Sequence, residues 1–586
     1  MADVLRIANC SGFYGDRLSA AREMVEDGPI DVLTGDYLAE LTLMILLKDR
    51  LRDPELGYAR TFLRQLEEVA VTCKQRGIRI VVNAGGLNPA GLARAARALY
   101  ERLGLRAMVA HIEGDDLMPT LAALQQRGEP FTHLDRGIPL SALRVPVLSA
   151  NAYLGGWGIA AALDRGADLV ICPRVTDAAL TLGPAAWRFG WRRDDWDRLA
   201  AGVVAGHVIE CGAQCTGGNY SFFHEVPRLE YPGFPIAEIH ADGSFVVTKH
   251  AGTGGLVSVG TVTAQLLYEI GAAEYPNPDV TARFDTIRLE QEGPDRVLVT
   301  GVRGEPPPPT TKVCINYFGG YKNSMTFVLT GLDIEAKAAL AEETLWELVG
   351  GREQFAESQA TLRRADQPNP ASNEDAFAYL TISVKDPDAQ KVGRAWSNKV
   401  VEMALASYPG FFMTHVPSGE QQIGVYWPAL VPSTDVEQRV VIGESAISVL
   451  PAEAPAAGAR VSAPTAPAGP VPGGASRRVP LGAICGARSG DKGGNANVGL
   501  WVRTPEAYRW LADFLTVDRL RTLLPEAATL EVERHDLPNI LALNFVLKGL
   551  LGDGVAASLR SDPQAKSLGE YVRAKVVAIP EALLDG

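Results

Sequence analysis

Short β-branched runs alternate with longer amphipathic stretches through the first two hundred residues. Val4–Asn9 predicts a strand, followed by the turn Ser-Gly-Phe-Tyr-Gly-Asp16 and a helix rich in Ala, Glu and Met. Ile30–Leu33 predicts a second strand, and Gly35–Leu47 has helical spacing. Gly57–Arg76 predicts a longer helix, with Leu63, Leu66, Val69 and Ala70 along one face. Ile78–Asn83 runs into Ala-Gly-Gly-Leu-Asn-Pro89 and a further helix, and Ala107–Ile112, Val145–Ser149 and Ala167–Cys172 repeat the strand theme. Strands alternating with helices predict an α/β unit, a mostly parallel sheet flanked by helices. Ligands of such sheets gather at the carboxyl ends of the strands. Here those ends carry Asn9 and Ser11, Asn83 with Gly85 and Gly86, Glu113 with Asp115 and Asp116, and Arg174 with Asp177.

From about residue 225 to 330 the pattern changes to strands separated by Gly and Pro clusters, at Phe245–Thr248, Val297–Val299 and Lys312–Asn316. Residues 332–352 and 388–408 read as helical. The clearest boundary is the Pro/Ala/Gly tract 451–479, a semi-extended linker in which no large apolar residue recurs at a core period. It divides a large domain, 1–450, from a C-terminal domain, 480–586. The latter predicts helices at 505–514 and 517–524 and strands near 529–534, 540–545 and 572–578, a small α/β sandwich of the ferredoxin-like kind.

A chain of 586 residues exceeds one hydrophobic core, which agrees with two domains. With 47% hydrophobic and 21% charged residues the balance is that of a globular protein. The net charge of −13 argues against a nucleic-acid partner. No apolar run is long enough to span a bilayer, and no signal-peptide pattern opens the chain, so a cytoplasmic protein is expected. The seven cysteines (10, 73, 172, 211, 215, 314 and 485) are scattered and odd in number, as reduced thiols would be.

Chemistry concentrates in His207-Val-Ile-Glu-Cys-Gly-Ala-Gln-Cys-Thr-Gly-Gly-Asn219. His207 and Glu210 could form an acid/base pair, and Cys211 or Cys215 a nucleophile; buried thiols and a capping histidine are the structural alternative. Spacing of four between 207, 211 and 215 would suit a metal on one helix face, but Gly212, Gly217 and Gly218 argue against a continuous helix, so no metal is expected. Arg174 could fork onto a carboxylate or phosphate, and Asp177 could be a base or a helix cap. Asp16, Asp36 and Glu40 stand near helix starts, where carboxylates offset the helix dipole; Asp36 and Glu40 would share one helix face. Asp115-Asp116 is weak evidence for Mg²⁺. The Gly85-Gly86 amides, followed by Asn88, suit either an anion site or a tight turn. Arg488-Ser-Gly-Asp-Lys-Gly-Gly-Asn-Ala-Asn497 lacks phosphate-loop spacing for ATP, but its cations and glycines suit an anion or docking onto the large domain. Gln214, Asn219, Ser489, Asp491, Lys492 and Asn497 complete the candidate binding set.

Tyr14-Gly-Asp16, Asp36-Tyr-Leu-Ala-Glu40, Asn83-Ala-Gly-Gly-Leu-Asn-Pro89, Gly114-Asp-Asp116, Asn151-Ala-Tyr-Leu-Gly155, Gly166-Ala-Asp168, Arg174-Val-Thr-Asp177, Gly206-His-Val-Ile-Glu-Cys-Gly212 and Tyr268-Glu-Ile-Gly resemble the acyclic terpene utilisation AtuA family, as does Ala487-Arg-Ser-Gly-Asp-Lys-Gly493 with Asn497. The resemblance spans 1–445 and 480–580. The opening Asn9-Cys-Ser11 departs from a more glycine-rich loop. The resemblance implies catabolism of citronellol- and geraniol-type terpenoids through branched acyl-CoA intermediates. From it and the side chains together we expect an enzyme acting by hydration or carbon–carbon cleavage, with no cofactor beyond the coenzyme A of its substrate, in a homo-oligomer. A Cys-dependent acyl or CoA transferase and a non-catalytic acyl-CoA-binding subunit are the alternatives. The Arg488–Lys492 segment is expected to cover the cleft that holds His207.

Overall fold

The computed structural model describes residues 4–451, 461–462 and 465–584; the remainder of the linker, 452–460 and 463–464, lies outside the described residues. Five strands form a parallel block in the order Val4–Asn9, Val32–Gly35, Arg79–Val82, Leu169–Ile171, Val109–Glu113. Their side chains are almost wholly buried, as both faces carry helices. The helix Thr61–Arg76 shows why the chain folds so: Phe62, Gln65, Leu66, Val69, Ala70 and Cys73 fall on one buried stripe. Gly77, at φ 70°, ends it.

The expectation of a mostly parallel sheet is corrected here. The block is extended by antiparallel strands on both flanks into an eleven-stranded sheet. Pro235–His240, Phe245–Lys249, Arg296–Thr300 and Arg288–Gly293 lie on one side, and Gln438–Ile442 and Ser445–Val449 on the other. A parallel neighbour needs a crossover helix. After residue 235 the chain turns back through tight hairpins instead, such as that around Gly243 at φ 93°.

A second sheet, wholly antiparallel, is organised on the 21-residue strand Thr310–Thr330. Its first half pairs with Gln421–Pro432 and with Val147–Ala152. The run at Val145–Ser149, expected in the parallel sheet, therefore belongs to this one. Its second half, beyond the bulge at Phe318–Tyr321, pairs with Phe377–Asp386 and builds a separate core with the helices Ile334–Val349 and Arg394–Glu402.

The C-terminal part is a four-stranded antiparallel sheet, Gly486–Lys492, Asn495–Trp501, Ala542–Leu547 and Val532–Leu537, packed on the helices Pro505–Phe514 and Val517–Leu523 with its own core. It meets the large part through partly buried polar contacts. Asn539 Nδ2 donates to the carbonyls of Phe284 and Ile287, and Ser221 Oγ donates to the Ala487 carbonyl at 2.8 Å. Described linker residues are also held: Arg283 donates to the Val461 carbonyl, and Arg509 to those of Ala468 and Pro470. No helix among the described residues is long and apolar enough to cross a membrane.

Candidate functional site

The carboxyl ends of the parallel strands converge. Val32–Gly35 delivers Asp36, Arg79–Val82 delivers Asn83, Leu169–Ile171 leads to Arg174, and Val109–Glu113 leads to Asp115. Asn83 Nδ2 donates to Asp36 Oδ1 at 2.6 Å, while its Oδ1 accepts from Tyr37 N. Arg174, 3% exposed, donates from Nη1 to the Leu38 carbonyl and from Nη2 to Asp177 Oδ1, at 2.9 and 2.8 Å. Its guanidinium lies 4.3 Å from the centre of the Tyr153 ring, and Lys312 Nζ lies 5.1 Å from the same ring. Lys312 lies in the second sheet and Tyr153 directly follows its strand Val147–Ala152, so that sheet closes one side.

The other wall is the end of the helix Trp196–Ile209, with His207 in its last turn and Glu210 capping it. His207 is buried between Tyr275 and Phe284. Its Nε2 is 3.1 Å from the Gln265 carbonyl, which only accepts, so Nε2 carries the proton. Nδ1 faces Glu210 Oε1 at 3.2 Å. Burial lowers the imidazole pKa to about 4. His207 is therefore a neutral, fixed ring at neutral pH, not the titrating group its residue type suggests. Burial first, and then the charge of Asp177, hold Glu210 well above the usual carboxylate range, against Arg174 and Lys492. Asp36 is raised for the same reasons, burial first and Asp177 next. Glu210 Oε2 is buried without a hydrogen-bond partner among the described residues, and such atoms ask for an explanation.

The C-terminal domain supplies the lid. Arg488–Asn497 is not a loop but two strands of a β-hairpin turning at Gly493 and Gly494. Alternation puts Arg488, Gly490 and Lys492 on one face. Arg488 lies 4.4 Å from the Tyr268 ring and donates to the Asn219 carbonyl, and Lys492 Nζ donates to the Glu269 carbonyl at 3.1 Å. The charge of Lys492 acts on both His207 and Glu210. The His207–Asn219 and Arg488–Lys492 segments thus lie together within one chain. On the opposite face Ser489 bonds within its own domain, to the Lys566 carbonyl and the Gly569 amide. Asp491 lies 4.0 Å from Lys566, and Asn497 is a fully buried interdomain clamp.

Several expected roles are corrected. The Gly85 and Gly86 amides are already bonded, to the Cys172 and Asn83 carbonyls, so this is a tight turn and not an anion cradle. Any Cβ at Gly85 would stand 2.6 Å from the Cys172 oxygen. Asn88 caps the next helix through Gly91 N. Cys215 is wholly buried in the main core, and burial pushes its thiol far up. Cys211 is partly exposed, yet burial and the charges of Glu210 and Glu269 push its thiol up as well. Gln214 keeps a buried, unpartnered Oε1, and Asn219 is exposed at φ 57°. Asp16 caps its own loop through Gly12 N, and Asp116 accepts from Met118 N. No cluster among the described residues is arranged to hold a metal ion, and all seven cysteines are unbridged. The sequence assigns no site role to Tyr153, Lys312, Glu269 or Lys566, although Tyr153 and Glu269 fall inside motifs of the family resemblance. A groove of about 830 Å³ lined by Trp157, Trp187, Trp196 and Leu450 shares none of these residues; the constellation is marked by its charges, not by cavity size.

Residues 5–442 match the model of the acyclic terpene utilisation family protein AtuA, and residues 479–578 match the AtuA ferredoxin-like domain. No curated protein and no solved structure matches the chain. The chain belongs to the AtuA family.

Proposed function

We propose that this member of the acyclic terpene utilisation family is an enzyme of acyclic terpenoid catabolism that moves protons on a branched acyl-CoA thioester. Hydration and retro-aldol cleavage make the same demands. In hydration, water gives a proton to an acceptor as its oxygen joins the β-carbon, and a donor returns a proton to the α-carbon. In retro-aldol cleavage, the β-hydroxyl gives its proton to the acceptor, the α–β bond breaks, and the donor protonates the α-carbon of the resulting enolate. Both need a positive site for the thioester oxygen.

The observation that carries this reading is Glu210, a buried carboxyl raised above its usual range with one oxygen unpartnered, facing a cationic wall. It is suited to donate. Arg174, Lys312 and Lys492 form the positive side. His207 is neutral, stands beside Glu210 with its unprotonated Nδ1 3.2 Å from Oε1, and needs no proton of its own. A transferase using Cys211 or Cys215 is less well supported, because both thiols are pushed up and resist becoming thiolates.

Turnover of a panel of branched 2-enoyl- and 3-hydroxyacyl-CoA thioesters tests this. Glu210→Gln should lose roughly 10²-fold or more in kcat with its unfolding midpoint unchanged, and Cys211→Ser should keep most activity. An active Glu210→Gln enzyme, or an inactive wild type, would count against the proposal.

A further inference from the structure

We infer that two copies of this chain join edge to edge through the strand Glu357–Arg364, about a two-fold axis that sets Ala360 opposite its own copy.

This strand ends the second sheet. It pairs with Phe377–Asp386 along its whole length, from Glu357 opposite Lys385 to Arg364 opposite Ala378, without a bulge. Half of its backbone groups face that neighbour and half face outwards. Arg352 lies over its beginning, donating to the Ser358 carbonyl and hydroxyl. From Gln359 to Arg364, no other segment among the described residues bonds to its backbone. An open edge of this kind is a template for a further strand. The chain guards its other edges. Arg288–Gly293 carries a bulge at Gln291–Gly293, and Val532–Leu537 holds four consecutive ionisable residues, Glu533 to Asp536. Ser445–Val449 has only five residues and Phe412–Met413 two. Glu357–Arg364 has eight, and its middle, Ser358–Leu362, contains no charge, proline or glycine.

The charges at its ends select a second copy as the occupant. Opposed residues of an antiparallel pair both present their backbone groups or both withhold them, so the two-fold axis passes between two copies of one residue. With Ala360 there, Glu357 of each copy meets Arg363 of the other, Ser358 meets Leu362, and Gln359 meets Thr361. An axis at Gln359 or at Thr361 brings no opposite charges of the strand together. Glu357 and Arg363 share the face turned away from the core that Ala360 and Leu362 touch, and both are exposed. Glu357 already lies 3.3 Å from Lys385, but at 52% exposure it has room for a second cation. The axis stands perpendicular to the sheet, so like faces of the two copies continue into one another. Ala360 and Leu362, only partly buried within one chain, are then covered by Ala360 and Ser358 of the second copy.

Sedimentation of the full chain at micromolar concentration should show a dimer. Gln359→Lys with Thr361→Lys sets lysine opposite lysine at two places on the solvent face, and should give a monomer with an unchanged circular dichroism spectrum. Glu357→Arg should weaken the dimer about tenfold or more, because two symmetric contacts change sign together. Adding Arg363→Glu to that variant should restore it. A monomeric wild type, or a folded lysine variant that remains dimeric, would overturn the inference. Should the lysine variant not fold, the charge exchange decides alone: a dimer that Glu357→Arg leaves intact, or that Arg363→Glu does not recover, uses another surface.

Discussion

Replacing Arg174 by Met is expected to cost about 3–5 kcal/mol of unfolding free energy at pH 8 and to remove turnover. Arg174 is nearly inaccessible, and its guanidinium is committed to Asp177, the Leu38 carbonyl and the Tyr153 ring. It is also the counter-charge that holds down both Asp36 and Glu210. Methionine fills much of the space but leaves those carboxyls facing Asp177 without the guanidinium. The penalty should depend on pH in a definite sense. Asp36 and Glu210 have folded-state pKa values above their unfolded values, so falling pH lets the folded state take up protons and relieves the repulsion. The destabilisation should therefore shrink between pH 8 and pH 5.5. Denaturant unfolding of both proteins at the two pH values measures it. A cost below about 1 kcal/mol at both, the range of an exposed ion pair, would show that Arg174 does not organise the cluster.

The part of this cluster that was legible in the sequence is the part made by local rules. Strand ends followed by helix starts place Asp36, Asn83, Asp115 and Arg174 at one edge whatever the rest of the chain does, and Arg174 and Asp177 pair at a spacing readable from sequence. The helix Thr61–Arg76 follows directly from its apolar stripe. What failed did so for identifiable reasons. Alternation of strands and helices stops near residue 210, so it says nothing about the antiparallel flanks that extend the block on both sides. The run at Val145–Ser149 carries a strand pattern but no mark of which sheet it joins; its partner, Thr310–Thr330, lies far along the chain. Lys312 is one lysine in a β-run, and only that pairing brings it to Tyr153 and so to Arg174. The Gly85-Gly86 turn was ambiguous because glycine serves both an open amide cradle and a close backbone approach, and the Cys172 carbonyl decides for the second.

Glu269, left-handed at φ 57°, shows the limit most clearly. Left-handed backbone is legible where Gly or Asn occupies it, and Gly77 and Gly493 could be read that way. A glutamate gives no such signal, because its conformation is imposed by Asn497 and Asn544, more than two hundred residues away. Conversely, the residue types of His207 overstated its chemistry: an imidazole in a reactive-looking motif becomes a buried neutral ring once Tyr275, Phe284 and the Gln265 carbonyl surround it.

Asp115→Asn should stabilise the protein at pH 8 by about 2–4 kcal/mol and have little effect at pH 4. Asp115 lies at the strand end beside Arg174, 4% exposed, and its Oδ2 accepts from Asn151 Nδ2 at 2.7 Å and from the Arg174 amide at 3.3 Å. These bonds do not offset its burial, which raises the carboxyl pKa to about 7 from an unfolded value near 3.8. The sign follows from the proton count. Between about pH 4 and pH 7 the folded state binds the extra proton, so the contribution of Asp115 to stability is complete at low pH and is lost as pH rises through that window. Above pH 7 the folded protein bears the whole cost of a buried charge. An asparagine oxygen can accept both existing bonds without any charge, so the variant escapes that cost. His207 and Asp279 titrate in the same range, His207 in the opposite sense, since its folded-state value of about 4 lies below its unfolded one. Both are common to the two proteins, so the difference between variant and wild type isolates Asp115. Denaturant midpoints measured at pH 4, 6 and 8 should diverge steadily with the variant ahead; parallel profiles would mean that Asp115 is compensated in the folded state at every pH.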